Sequence, residues 1–277
     1  MLRSRLLTAT VLLGAFLACL FLLPQEGFAA LAGVVVIVAA WEWGGLASIG
    51  GRGRYGFAAG CAAGYGALWF GLEAPQLEHI SSALLYGLAT GFWLLVAPTW
   101  LARGVRLRPR GLAIPVGALV IIPAALAMTG LRERSPVLLL AFLALVWIAD
   151  SAAYFAGRRL GRRKLAPAIS PGKTWEGVAG GLAASLAYAI ILALAAPRGL
   201  PVPQGWAGWA AYALFAALLY ALSVIGDLFE SAAKRQAGVK DSGTLLPGHG
   251  GVLDRIDSAT STLPVAALMF FFVSRGQ

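Results

Sequence analysis

The feature that most constrains this chain is its series of long apolar runs. Nine stand out, at residues 6–23, 28–47, 56–72, 81–102, 112–130, 136–156, 175–197, 206–229 and 256–273. A hydrocarbon core of roughly 30 Å is crossed by about 20 apolar residues in a helix. In lipid, only helices and closed barrels satisfy their own backbone. These runs are continuous and lack the alternation of barrel strands. The expected fold is therefore all-α, a polytopic transmembrane helical protein of about nine spans. Composition agrees: hydrophobic residues are 59% of the chain and charged residues 12%, against about 25% charged in soluble domains. The run after Arg3 and Arg5 also fits a secretory signal peptide, with small residues near Ala29 and Ala30 for cleavage. Its length, and the run that follows closely, favour a span.

The net charge of +10 does not require nucleic acid. In a polytopic protein, positive charge accumulates on the cytoplasmic side. With the N-terminus in the cytoplasm, every Lys and Arg except Arg132, Arg134, Arg198 and Arg275 falls on that side. The expected location is thus the inner, cytoplasmic membrane. Cys19 and Cys61 lie within apolar runs and form no disulfide or metal-binding pattern.

The chain divides in character. Residues 1–135 are apolar runs with short connections. Within them Gly56, Gly60 and Gly64 recur every four residues, as do Gly87 and Gly91. Such spacing allows close helix approach, read first as packing within the chain and second as a dimer contact. Residues 136–277 hold all five aspartates, Asp150, Asp227, Asp241, Asp254 and Asp257. They also hold both long polar connections, and this half is the expected catalytic region.

Asp254 and Asp257 are three apart and share a face if a helix starts near Val252. Taken alone, they would be N-terminal helix residues. Asp227, in IGDLFES at the end of the preceding run, can face them across an antiparallel hairpin. Carboxylates at a membrane edge usually line a polar cavity, and a divalent cation would relieve their repulsion. The connection SAAKRQAGVKDSGTLLPGHGG adds Lys234, Arg235, Lys240, His249, Gly250 and Gly251, residue types suited to phosphate. The earlier connection, GRRLGRRKLAPAISPGKTWEG, adds a tight polar turn with Ser170, Lys173 and Thr174. Asp150 has no evident partner. The Arg158–Lys164 cluster also fits a topology anchor at lipid headgroups.

The positions Ser231, Lys234, Arg235, Lys240, Asp241, Pro247, His249, Gly250, Gly251, Asp254, Arg255 and Asp257 closely resemble the signature of the phosphatidate cytidylyltransferase (CDP-diacylglycerol synthase) family. SPGKTWEG resembles a second block of that family. The resemblance is strong over about 147–258. Ala233 stands where the family pattern has a larger apolar residue. The resemblance implies condensation of CTP with phosphatidate to CDP-diacylglycerol and pyrophosphate, in phospholipid biosynthesis. It implies magnesium (Mg2+) held by Asp227, Asp254 and Asp257, with potassium (K+) as a second cation. Lys240 and Asp241 would join the catalytic set. Lys173, Ser170, Thr174, Lys234, Arg235, His249, Gly250, Gly251 and Arg255 would meet phosphates or nucleotide. Partners would be the two substrates, membrane lipids and a second copy in a homodimer. Two other classes compete: a CDP-alcohol phosphotransferase, whose aspartates are spaced differently, and an ion-coupled transporter, whose acids would lie near the midplane.

Overall fold

The structure is a computed structural model describing residues 2–71, 75–104, 110–195, 200, 202–246, 248 and 250–273. The elements run α1 (Leu2–Leu22), α2 (Gln25–Leu46), α3 (Gly51–Gly71), α4 (Pro75–Gly91), a π-helical turn (Phe92–Val96), α5 (Ala97–Arg103), α6 (Arg110–Arg134) and α7 (Pro136–Leu160). A short hairpin, β1 (Lys164–Ala166) and β2 (Ser170–Thr174), leads to α8 (Trp175–Ala195), α9 (Gly205–Ala237) and α10 (Leu253–Val273). Each apolar run of the sequence falls on a helical segment. Among the described residues, six helices are long and apolar enough to cross a membrane: Gln25–Leu46, Ala83–Arg103, Gly111–Arg134, Pro136–Leu160, Trp175–Ala195 and Gly205–Ala237.

One apolar core extends through both halves of the chain, from Leu20 and Phe28 to Leu263 and Ala266. Helix α10 packs against α9, α6, α4 and α2. Where helices touch most closely, small residues make room. A β-carbon at Gly226 of α9 would lie 2.7 Å from the Asp257 carbonyl of α10. Ser258 and Ser261 Oγ then donate to the Ser223 and Leu222 carbonyls, at 3.3 and 2.8 Å. These bonds satisfy the polar residues of α10 inside the bundle and fix its register on α9.

Three expectations need correction. The polar turn before α8 is an antiparallel hairpin, with Lys164 paired to Thr174 and Ala166 to Ser170. Secondly, α9 continues two turns beyond the apolar run, so Ser231, Lys234 and Arg235 are helical and not in a loop. An i,i+4 pair, Glu230–Lys234 at 2.7 Å, supports the extension. Gly238, at φ 75°, then ends the helix in the left-handed conformation that glycine adopts without strain. Thirdly, among the described residues the glycine rows of α3 and α4 meet few neighbours. Open space surrounds Gly56, Gly60, Gly87 and Gly91, and only Gly64 of that set meets a neighbour, Ile122 at 3.4 Å.

Candidate active site

A cavity of about 840 Å³ opens where α7 ends, α8 begins, α9 nears its end and α10 begins. Each wall follows from local sequence. The hairpin is tied down by Glu176, whose carboxylate accepts from the Arg162 and Arg163 amides at 3.0 and 3.2 Å. Thr174 is buried, and its Oγ1 accepts from the Gly177 amide at 3.1 Å, capping α8. Gly157, Gly177 and Gly180 let α7 and α8 touch beneath it: a β-carbon at Gly177 would lie 2.8 Å from the Ala153 carbonyl. Side chains alternate along β2, so burying Thr174 turns Lys173 the other way. Its Nζ reaches Asp227 Oδ2 at 2.6 Å. Arg235 Nε donates to the Ile169 carbonyl at 3.2 Å, a second tie between the hairpin and α9.

Helix α9 is 33 residues long, a rod of about 50 Å. Asp227 lies 22 residues into it, about 33 Å along the axis, which matches the thickness of a hydrocarbon core. Gly226 brings that point of α9 against α10, so Asp227 and Asp257 face the same hollow. Asp150 completes the wall from α7, so three carboxylates border one cavity.

Most of the residues predicted from sequence line this one cavity: Ser170, Lys173, Thr174, Asp227, Lys234, Arg235, Lys240, Asp241, Asp254, Arg255 and Asp257. Asp150, Arg158 and Lys164 join them. The carboxylates differ in occupancy. Asp254 Oδ1 meets Lys234 Nζ at 2.5 Å. Its Oδ2 accepts from the Ser242 amide, Ser242 Oγ and the Gly251 amide at 2.9, 3.0 and 2.8 Å. Asp257 Oδ1 accepts from the Ser258 amide at 2.7 Å, and Asp227 Oδ1 accepts from Ser231 Oγ at 3.2 Å. Lys234 bridges Asp254 and Glu230.

Gly250 and Gly251 do not line the cavity. Gly250, at φ 81°, lies against Asp254, where a β-carbon would come within 2.6 Å of Oδ2. Gly251 leaves room for Ser242 and Glu42. Both shape the loop around carboxylates. His249 lies outside the described residues.

The donor set around the cavity is hard oxygen, which suits magnesium. Asp150, Asp227 and Asp257 all line the cavity, and Lys173 already brings a positive charge to Asp227. Among the described residues, no three acidic, histidine or cysteine side chains converge tightly enough to hold a metal unaided. The residues therefore fit a cation bound by one or two carboxylates and completed by substrate phosphates, the usual arrangement for magnesium. Asp254, expected from the resemblance to be a third ligand, lines the same cavity and is at the same time held by Lys234, Ser242 and Gly251.

Two residues escaped the sequence reading. Tyr220 is buried at the cavity wall, and its hydroxyl has no hydrogen-bond partner among the described residues. Glu42, 3% exposed, reaches from α2 to the loop before α10. An acid inside an apolar run, between two tryptophans, was the available signal for Glu42.

A family model for the cytidylyltransferase family matches residues 3–273. The phosphatidate cytidylyltransferase of Pseudomonas aeruginosa is 42% identical, over 100% of this chain and 99% of its own. That of Haemophilus influenzae is 37% identical, over 99% and 100% respectively. That of Bacillus subtilis is 49% identical over 43% of this chain and 42% of its own. By these matches, which cover almost every residue including the walls of the cavity, the chain is a member of the cytidylyltransferase family.

Proposed function

We propose that this chain is a multi-pass membrane phosphatidate cytidylyltransferase, which joins CTP to phosphatidate and releases CDP-diacylglycerol and pyrophosphate. The observation that carries this reading is the single cavity in which Asp227 and Asp257 of two packed helices face Lys173 of the hairpin. Full-length similarity to relatives bearing that enzyme's name supports the substrate assignment.

The chemistry asks little of a general base, because the phosphate of phosphatidate is already ionised. Two polyanions must be brought together. An oxygen of the lipid phosphate attacks the α-phosphorus of CTP in line, the new P–O bond forms, and the bond to pyrophosphate breaks. Magnesium, when bound by Asp227 and Asp257, supplies charge neutralisation for the phosphates. Lys173, Lys240, Arg158 and Lys164 offset the remaining repulsion and favour the charge that develops on the leaving group. Lys173 has Asp227 as its partner and exchanges it for phosphate when substrate enters. Lys234 and Arg235 act mainly by holding the wall in place, as their bonds to Asp254, Glu230 and the Ile169 carbonyl indicate. Potassium would be a second cation, with Asp150 as a further oxygen donor on the same cavity.

The proposed topology has nine spans and a cytoplasmic N-terminus. The cavity then lies at the cytoplasmic leaflet, where soluble CTP and a lipid headgroup can both reach it. The open glycine rows of α3 and α4 are the surface offered to a second copy in the proposed homodimer. The test is direct. Purified protein in detergent with labelled CTP, phosphatidate and magnesium should release pyrophosphate and form a CDP-linked lipid. Absence of both products would refute the reading.

A further inference from the structure

Glu42 lies in the apolar half of the chain, about 200 positions before the groups it holds. Its carboxylate is almost fully buried. Oε2 accepts from Ser242 Oγ and from the Leu253 amide, both at 2.8 Å, and Oε1 accepts from the Val252 amide at 3.0 Å. These donors are the loop that follows Lys240 and Asp241 and the first turn of α10. The carboxylate fills the space that a β-carbon would need at Gly243 and at Gly251, so both glycines are required by its presence.

The neighbours of Glu42 fix its aim. Trp41 carries the Arg54 guanidinium 4.1 Å above its ring, and its carbonyl accepts from Arg54 Nε at 2.5 Å. Trp43 donates from Nε1 to the Ala113 carbonyl at 2.8 Å and stacks on Phe229, 6.3 Å between centroids. Three successive residues thus lock α2 to α3, to α6 and α9, and to the catalytic loop. Ser242 is shared: its amide donates to Asp254, and its single hydroxyl proton lies within reach of the Glu42 and Asp254 carboxylates. Asp254 in turn grips Lys234.

We propose that Glu42 is a positioning residue for the transfer reaction, setting the start of α10 so that Asp257, one turn later, faces Asp227. This rests on the function proposed above. A carboxylate is needed because every partner is a donor, and because the N-terminus of α10 presents unpaired amides and a partial positive charge. An amide at this position would turn an NH2 group toward N–H donors.

The test uses the full-length protein in detergent, comparing wild type with Glu42→Gln, Ser242→Ala and, as a packing control, Tyr65→Phe. Tyr65 bonds α3 to the Ala29 carbonyl of α2, away from the loop. Misplacement of a reacting group by about 1 Å can cost about 100-fold, so kcat per folded molecule should fall about 10- to 100-fold in Glu42→Gln. KM for CTP should change far less. Ser242→Ala removes one of the three bonds and should lose a few-fold, while Tyr65→Phe keeps wild-type kcat. Limited trypsin digestion supplies a second readout: cleavage after Lys240 should accelerate in Glu42→Gln and in Ser242→Ala, with no change in Tyr65→Phe. Wild-type kcat and wild-type cleavage in Glu42→Gln would overturn the proposal. So would a loss explained wholly by less folded protein. Should Glu42→Gln not accumulate, unchanged kcat and cleavage in Ser242→Ala would overturn it. An inactive wild type would instead sink the function itself.

Discussion

The two ends of the bundle handle buried charge in opposite ways. At one end Arg132 of α6, 7% exposed, gives donors from all three of its nitrogens to protein acceptors. Its Nε donates to the Leu20 carbonyl at 3.2 Å, Nη1 to Gln25 Oε1 at 2.7 Å, and Nη2 to the Leu23 carbonyl. Phe28 lies beneath the guanidinium at 5.0 Å, and Gln25 is itself held by the Thr129 carbonyl at 3.0 Å. The cluster closes the turn between α1 and α2. At the other end Asp150, Asp227 and Asp257 border a cavity of about 840 Å³. A buried charge whose partners are all protein groups serves the fold. Carboxylates gathered around open space serve a ligand. Asp254 shows both patterns within a few residues: it borders the cavity, yet it is held like Arg132.

This comparison is easiest to break with Asp257→Asn, which keeps volume and removes charge. Turnover should fall by about 10²- to 10³-fold or more, the scale seen when a group stabilising transition-state charge is lost. The unfolding temperature in detergent should stay near wild type, and substantial activity would return Asp257 to a capping role. At the opposite end Arg132→Met should do the reverse. It strands carbonyls that now have a partner, and should cost about 1–3 kcal/mol. That cost would appear as a lower unfolding temperature, with kcat per folded molecule unchanged. The smallest effect is expected on α3. Gly60 faces open space, so Gly60→Ala should raise stability by about 1 kcal/mol through helix propensity alone. A drop in stability or a shift to monomer on size-exclusion chromatography would place a second copy against that face.

Much of this arrangement is legible in sequence, for a physical reason. Apolar runs must be helices in lipid, and each of the nine runs falls on a helical segment among the described residues. The acids after residue 149 and the Lys173 turn sit within a few residues of the helix ends that present them, and local spacing conveyed their convergence. What escaped depends on distant contacts. Nothing near Glu42 announces Ser242 or Val252, because only the packing of α2 against the start of α10 brings them together. The charged stretch Ser231–Arg235 reads as loop by composition. Its helix is held by the Glu230–Lys234 pair and by Asp254, which is 20 residues further on from Lys234. For the same reason Asp254 and Asp257 look alike in sequence, although both line the cavity and only Asp254 is also held by Lys234 and the loop.

The central claim is that Asp227 and Asp257 together hold a cation that receives the nucleotide phosphates. Calorimetric titration of the purified chain with CTP, with and without magnesium, tests it most directly beside the Asp227→Asn/Asp257→Asn double variant. The account predicts magnesium-dependent CTP binding by the unmodified chain and its loss in the double variant. Equal magnesium-dependent binding by both proteins would contradict it.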